Sequence, residues 1–266
     1  MLDDILASKR REVSGLRCQP RRPVGHVPRD VIGALRRAPG APLRLIAEVK
    51  LRSPSAGPLS RKLSPQERAC AYAEAGASMV SVLCDGAFFD GAFDHVSVAE
   101  EALRTRDHNI PILAKEFVID PRQVEEARDR GADAVLLIAR IVDSHALDEL
   151  VRCARKEGIE PLVEVVDERE LDWAMSSGAR VIGVNARDLD TLVMDRDRAA
   201  RVLASIAPDI VAVFMSGVRD SDGVRAISTG RADAALVGET LMRQDDPREL
   251  LRSLTSAHTQ AASLNT

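Results

Sequence analysis

Eight short apolar runs alternate with helical stretches, several of those runs end in charged residues, and glycines mark the return from helix to strand. Together these observations predict an α/β chain folded as a (β/α)8 barrel of the TIM type. The runs fall near residues 43–50, 79–85, 110–117, 134–139, 160–166, 181–186, 210–216 and 234–238. Apolar strands separated by helices fit a parallel sheet covered on its outside, and closure into a barrel removes the sheet's edges. A doubly wound open sheet is the alternative, but no run is followed by a G-x-G-x-x-G phosphate turn. The 266 residues suit a single barrel of ~250 residues.

Taken in order, the elements begin with LDDILASKRREV, which sets Leu2, Ile5, Leu6 and Val13 at helical spacing. Residues 1–42 are therefore read as a helical extension packed on the barrel near its mouth, and residues 43–256 as the barrel itself. Helix starts are marked by Ser64-Pro65-Gln66-Glu67, Asp120-Pro121-Arg122-Gln123 and Asp246-Pro247-Arg248-Glu249. Each offers a cap, a proline at the first helical position and a capping-box partner three residues after the cap. Gly76, Gly131, Gly178 and Gly230 stand where helices stop, because glycine takes the left-handed conformation that ends them. From Ala257 onward the chain is small and polar, so residues 257–266 are expected to form a disordered tail.

A hydrophobic fraction of 45% with few aromatic residues implies an ample aliphatic core. A net charge of -4 gives no global attraction to nucleic acid or to acidic membranes, so any anion must be held locally. The amino terminus lacks the apolar stretch of a secretory signal, and no run reaches the ~20 apolar residues of a membrane span. Cys18, Cys70, Cys84 and Cys153 are scattered without metal-ligand spacing, which reads as reduced thiols in a cytoplasmic protein with no metal site.

Glu48 and Lys50 close the first run, Lys115 closes the third, and Glu164 nearly closes the fifth. Unpaired charges are costly to bury, so their recurrence at strand ends implies a shared polar site, and a two-residue spacing puts Glu48 and Lys50 on one face. In a barrel the carboxyl ends of the strands form the active face, which adds Asn185 and Ser216. The loop Ser53-Pro54-Ser55-Ala56-Gly57 reaches over the same mouth. Ser216-Gly217 and Gly238-Glu239 end the last two strands, where barrels often bind phosphate and glycine lets backbone N–H groups approach an anion. A small phosphorylated substrate follows.

The motifs IAEVK with SPSAG, Phe88-Phe89-Asp90-Gly91, KEFVIDPRQVEEARDRGADAVLLI, LVEVVDERELDWA, IGVNARDL, MSGV and ALVGETLM resemble, in order and in register, the indole-3-glycerol phosphate synthase family. The resemblance runs from the first helix to about Pro247. It implies a carboxy-lyase of tryptophan biosynthesis that closes the indole ring of 1-(2-carboxyphenylamino)-1-deoxyribulose 5-phosphate with loss of carbon dioxide and water, using no cofactor. Other enzymes of that pathway are the macromolecular partners it implies. Carried over position by position, Lys115 matches the general acid of ring closure, and Glu164 the carboxylate that stabilises the charged intermediate and handles protons. Lys50 matches a second acid, able also to pair with a substrate anion, which Glu48 orients. Asn185 matches an amide contact to substrate, Arg187 a supporting group, and Ser216, Gly217 and Gly238 with Glu239 the phosphate pocket. Phe89 and Phe117 match aromatic positions near the anthranilate ring. Burial is expected to lower the pKa of a catalytic lysine.

Several positions depart from the family's pattern. Met215 stands where a glutamate is usual, Cys84-Asp85 where a hydroxyl residue precedes an acid, and Ala114-Lys115-Glu116 where Arg-Lys-Asp is usual. Loss of a carboxylate at Met215 should change the polarity of the ring side of the pocket. A paralogue acting on a modified anthranilate adduct is thus an alternative. Two others are an inactive barrel serving as a binding module and an isomerase barrel of the same pathway, which would not need the lysine pair.

Overall fold

Alternation along each strand sorts side chains into two cores. In β1 (Arg44–Val49), Leu45, Ala47 and Val49 join one buried cluster and Ile46 the other, as a side-chain period of two dictates. The sorting repeats in β2 (Met79–Leu83), β3 (Ile112–Lys115), β4 (Ala134–Ile138), β5 (Glu160–Val165), β6 (Val181–Asn185), β7 (Val211–Met215) and β8 (Ala234–Val237). Ile46, Met79, Leu113, Leu162 and Val213 fill the inside of the sheet, while the other cluster lies between the sheet and the surrounding helices. The computed structural model describes residues 1–15, 26–54 and 56–257.

The strands are parallel and in sequence order, and β1 pairs with both β2 (Ile46 opposite Met79) and β8 (Arg44 opposite Ala234). The sheet is a closed barrel, which excludes the doubly wound alternative. The loop after β1 contains a short antiparallel hairpin, Arg52–Ser53 against Gly57–Pro58, within the segment expected to reach over the mouth. Among the described residues no helix is long and apolar enough to cross a membrane.

Two of the three capping boxes form. Ser64 and Glu67 cap Pro65–Glu74 reciprocally, and Asp120 and Gln123 do the same for Pro121–Asp129. The third does not, because the last helix starts one residue late, at Arg248. Pro247 becomes its cap, and Asp246 accepts the backbone N–H and the guanidinium of Arg248 instead of capping the helix. Gly76, Gly131 and Gly178 take the left-handed conformation, as does Gly158 before β5, whereas Gly230 does not.

The amino-terminal helix Leu2–Gly15 buries Leu2, Ile5 and Val13, and Leu2 and Ile5 pack with Phe117 at the carboxyl ends of the strands. A second short helix, Val31–Leu35, packs Val31 and Leu35 into the same inner cluster. The segment just before it is tied to the opposite end of the barrel, where the backbone N–H of Arg29 and its guanidinium donate to Asp133, next to the start of β4. Ala257 is buried rather than part of a loose tail, and residues 258–266, like Cys18 and Ser55, lie outside the described residues.

Candidate active site

Parallel strands bring all their carboxyl ends to one face, and the period of two decides what each end presents there. Glu48 is the next inward position after Ile46, Lys115 after Leu113, Glu164 after Leu162, and Met215 after Val213. Glu48, Lys50, Ser53, Phe89, Lys115, Phe117, Glu164, Asn185, Arg187, Met215, Ser216, Gly217, Gly238 and Glu239 all line one cavity at this face. Of the loop after β1, Ser53 and Pro54 reach this cavity.

Glu48 is the electrostatic centre. Its Oε1 lies 2.8 Å from Lys50 Nζ and its Oε2 3.4 Å from Lys115 Nζ, so one buried carboxylate holds both ammonium groups. Burial pushes the Glu48 carboxyl up, but Lys50 and then Lys115 outweigh it and hold it below the ordinary range. For Lys115 burial acts downward, yet Glu48 and Glu164 outweigh it and leave the ammonium above its ordinary value. This corrects the expectation of a lowered lysine pKa: two carboxylates face the group, and charge beats desolvation. Lys115 is thus fully protonated at neutral pH.

Glu164 is the complementary group. Burial raises its carboxyl above the ordinary range against the pull of Lys115 and Asn185. Asn185 Nδ2 donates to Glu164 Oε1 at 2.8 Å, while the backbone N–H of Arg187 donates to Asn185 Oδ1 at 3.0 Å. The amide is therefore oriented from behind, and Glu164 Oε2 is left buried with no hydrogen-bond partner. A carboxyl with a raised pKa and one uncommitted oxygen is suited to take up and return a proton.

At the other end of the cavity Ser216 and Gly217 are successive left-handed residues (φ 73° and 79°), a conformation costly for the serine and typical of functional turns. Gly238, which lines the same cavity, has a packing reason to be glycine as well. A Cβ there would collide with Glu48 Oε1, so the missing side chain makes room for the carboxylate that holds the lysines. The Glu239 carboxylate is turned to Arg243 (2.7 Å), whose hydrogen bonds hold it below the ordinary range. Ser53 Oγ accepts the Ala56 N–H at 3.0 Å and stiffens the loop after β1.

The ring side is apolar. Phe89 and Phe117 face each other with centroids 6.0 Å apart, and Met215 lies fully buried over Gly183, where a side chain would strike its sulfur. Leu136, Ile138 and Leu236 line the same cavity, with Leu2 and Ile5 from the amino-terminal helix and Met1 just ahead of it. Sequence reasoning missed these apolar residues, although Ile138 and Leu236 occupy strand-end positions as legible as those of the charged ones.

It also missed Lys9. This lysine is fully buried, and its Nζ lies 2.7 Å from Glu12, 3.0 Å from Glu116 and 3.2 Å from Asp85. Asp85 caps the turn that carries Phe89, and Glu116 adjoins Lys115 and Phe117, so the Cys84-Asp85 and Glu116 departures sit behind the aromatic wall. Burial pushes Glu116 up to about 7 despite Lys9. The folded protein then holds a proton that the unfolded chain releases near pH 4.5, so stability falls as pH rises from about 4.5 to 7. We expect Glu116→Gln to gain ~3 kcal/mol on the parent across that window, measured by urea unfolding at successive pH values. A flat difference would refute the assignment.

The comparisons with known proteins agree with this geometry. The family model described as indole-3-glycerol phosphate synthase matches residues 2–254. The indole-3-glycerol phosphate synthase of Mycobacterium ulcerans is 43% identical over 232 residues, covering 87% of this chain and 82% of that protein. Indole-3-glycerol phosphate synthase 2 of Streptomyces coelicolor is 46% identical over 226 residues, covering 85% and 84%. Among solved structures, 3-hexulose-6-phosphate synthase from Salmonella typhimurium aligns with a TM-score of 0.63 at 15% identity over 82% of this chain and 99% of that one, a likeness of fold alone. With its barrel closed, its strand-end charges gathered in one cavity and the match running almost from end to end, the chain belongs to the indole-3-glycerol phosphate synthase family.

Proposed function

We propose that this barrel closes the indole ring of 1-(2-carboxyphenylamino)-1-deoxyribulose 5-phosphate, and that the Glu48-bridged lysine pair opposite Glu164 carries the reaction. The ring carbon bearing the carboxylate attacks the ribulose carbonyl, and Lys115 donates a proton to the oxygen as it becomes an alkoxide. A lysine held protonated is a weak acid but a strong electrostatic partner for that oxygen. Glu164 faces the cationic ring formed in this step. Loss of carbon dioxide restores the electron pair to the ring. Lys50 or Lys115 then protonates the departing hydroxyl, and Glu164 removes a proton from the neighbouring carbon, so one water leaves and indole-3-glycerol phosphate remains.

The single observation that supports this most is the 2.8 and 3.4 Å contacts of Glu48 with the two lysines, which set two acids in the cavity that Glu164, with its Oε2 uncommitted, also lines. Ser216, Gly217, Gly238 and Arg187 hold the phosphate in this reading, and Phe89, Phe117 and Met215 enclose the ring. A cytoplasmic setting beside other enzymes of tryptophan biosynthesis, with no nucleic-acid partner, belongs to the same proposal. Buried thiols at Cys70 and Cys84 are in keeping with a reducing compartment.

The test is turnover of the unsubstituted adduct by the purified protein, followed by indole absorbance together with released carbon dioxide. No turnover would end this reading. The fully buried Met215 favours one other, a ring-substituted adduct fitted to an apolar wall. In that case Met215→Glu should shift kcat/KM toward the plain adduct by ~10-fold or more, because Lys50 and Lys115 line the same cavity and favour an ionised carboxylate. An unchanged preference in a variant of parental melting temperature removes that second reading.

A further inference from the structure

Arg140 lies just past the carboxyl end of β4, in the single turn Ala139–Ile141, and does not line the cavity. Four carboxylates nevertheless converge on its guanidinium: Glu170 at 2.6 Å from Nε, Asp167 at 3.1 Å from Nη2, and Asp188 and Asp190 at 2.9 and 3.4 Å from Nη1. Its side chain is only 20% exposed, and the contacts with the buried Glu170 and the half-buried Asp188 are largely shielded from water, whereas Asp190 stands in solvent.

The four partners belong to two different kinds of structure. Glu170 and Asp167 stand on rigid frame at the end of β5: Glu170 Oε2 accepts the Val166 N–H at 2.7 Å, and Asp167 caps the helix Glu168–Ser176. Asp188 and Asp190 stand on the loop after β6, residues 186–195. That loop folds on itself through Asp188 N–H to Val193 O and Leu192 N–H to Asp188 O, both 2.9 Å, with Leu192 left-handed at φ 61°. Asp188 organises it from within, since its Oδ1 accepts the N–H groups of Asp190 and Thr191 and the Thr191 hydroxyl. Its other oxygen goes to Arg140. The same loop turns Arg187, Leu189 and Leu192 into the cavity.

We propose that Arg140 is a positioning residue whose guanidinium latches the loop of residues 186–195 to the end of β5 and so holds Arg187, Leu189 and Leu192 against the substrate. A planar fork can meet frame and loop on separate edges at once, which a lysine ammonium cannot do. The latch restrains a covering loop, while Lys115 and Glu164 ride on strands. Its loss therefore weakens substrate binding more than it slows the chemistry.

The inference rests on the ring-closing reading for the identity of what the loop covers, and the test separates the two. Arg140→Met and Arg140→Lys are compared with the parent in steady-state kinetics on the plain adduct, and by hydrogen exchange of the peptide spanning residues 186–195. We expect Arg140→Met to raise KM by ~10-fold or more with kcat within ~3-fold, and Arg140→Lys to do the same to a smaller degree. Exchange should quicken in the loop and not in the barrel strands. KM within about twofold of the parent in both variants, or exchange quickened equally throughout the barrel, would overturn the latch. If Arg140→Met does not fold, Arg140→Lys decides. If even the parent leaves the adduct unchanged, the proposed reaction fails while loop exchange still judges the latch.

Discussion

Lys115→Ala is expected to lower kcat on the plain adduct by at least ~10²-fold, toward the ~10⁴-fold upper range of general acid catalysis, with the barrel intact. The side chain is partly exposed to the cavity and tops β3 rather than filling its core, so its removal opens no apolar void. Glu48 keeps its closer partner, Lys50, at 2.8 Å, and is not left as an unpaired buried charge. Far-ultraviolet circular dichroism and melting temperature should therefore stay near those of the parent while single-turnover indole formation collapses. Activity within about twofold of the parent would take Lys115 out of the mechanism.

Glu164→Gln is the second large effect, and it separates activity from stability. Glutamine keeps the shape and can still accept from Asn185 Nδ2, but it cannot hold or release the proton. We expect kcat to fall by ~10²-fold or more. Stability should move the other way. Burial raises the folded-state pKa of Glu164, so ionising it above its unfolded value costs the folded state, a cost that grows as pH rises and that glutamine does not bear. The variant should melt no lower than the parent at neutral pH and gain on it between acid and neutral pH. A variant that keeps parental kcat, or one that loses stability relative to the parent as pH rises, would contradict the assigned role.

Both predictions concern residues visible in the amino-acid sequence, and the reason is local. Successive strand residues face opposite sides, so a charge two positions beyond an inward apolar residue must face inward as well, which is why Glu48, Lys115 and Glu164 stand out. Glycine stops and capping boxes are equally local, and most formed where they were expected. The Asp246 box failed because moving a helix start by one residue is enough to change its cap.

Other features have no local signature. Lys9 reads as one more charge on a polar helix, and only the packing of that helix on β2 and β3 brings Asp85 and Glu116 to it. Gly238 reads in the sequence only as a phosphate glycine, and its second constraint appears when closure of the barrel sets β8 beside β1 and fills its side-chain space with Glu48. Arg140 gathers carboxylates from as far away as Asp190, and nothing near it in the chain announces the latch. The pKa of Lys115 went the opposite way to expectation for the same reason. Burial depends on one residue's surroundings, whereas the field that overrode it is a sum over carboxylates on β1 and β5. Strand order, inward positions and the family motifs could thus be read from neighbours along the chain. Closure, ion-pair partners and the balance of charge against desolvation were settled by folding, because each depends on distances between residues that only the closed barrel brings together.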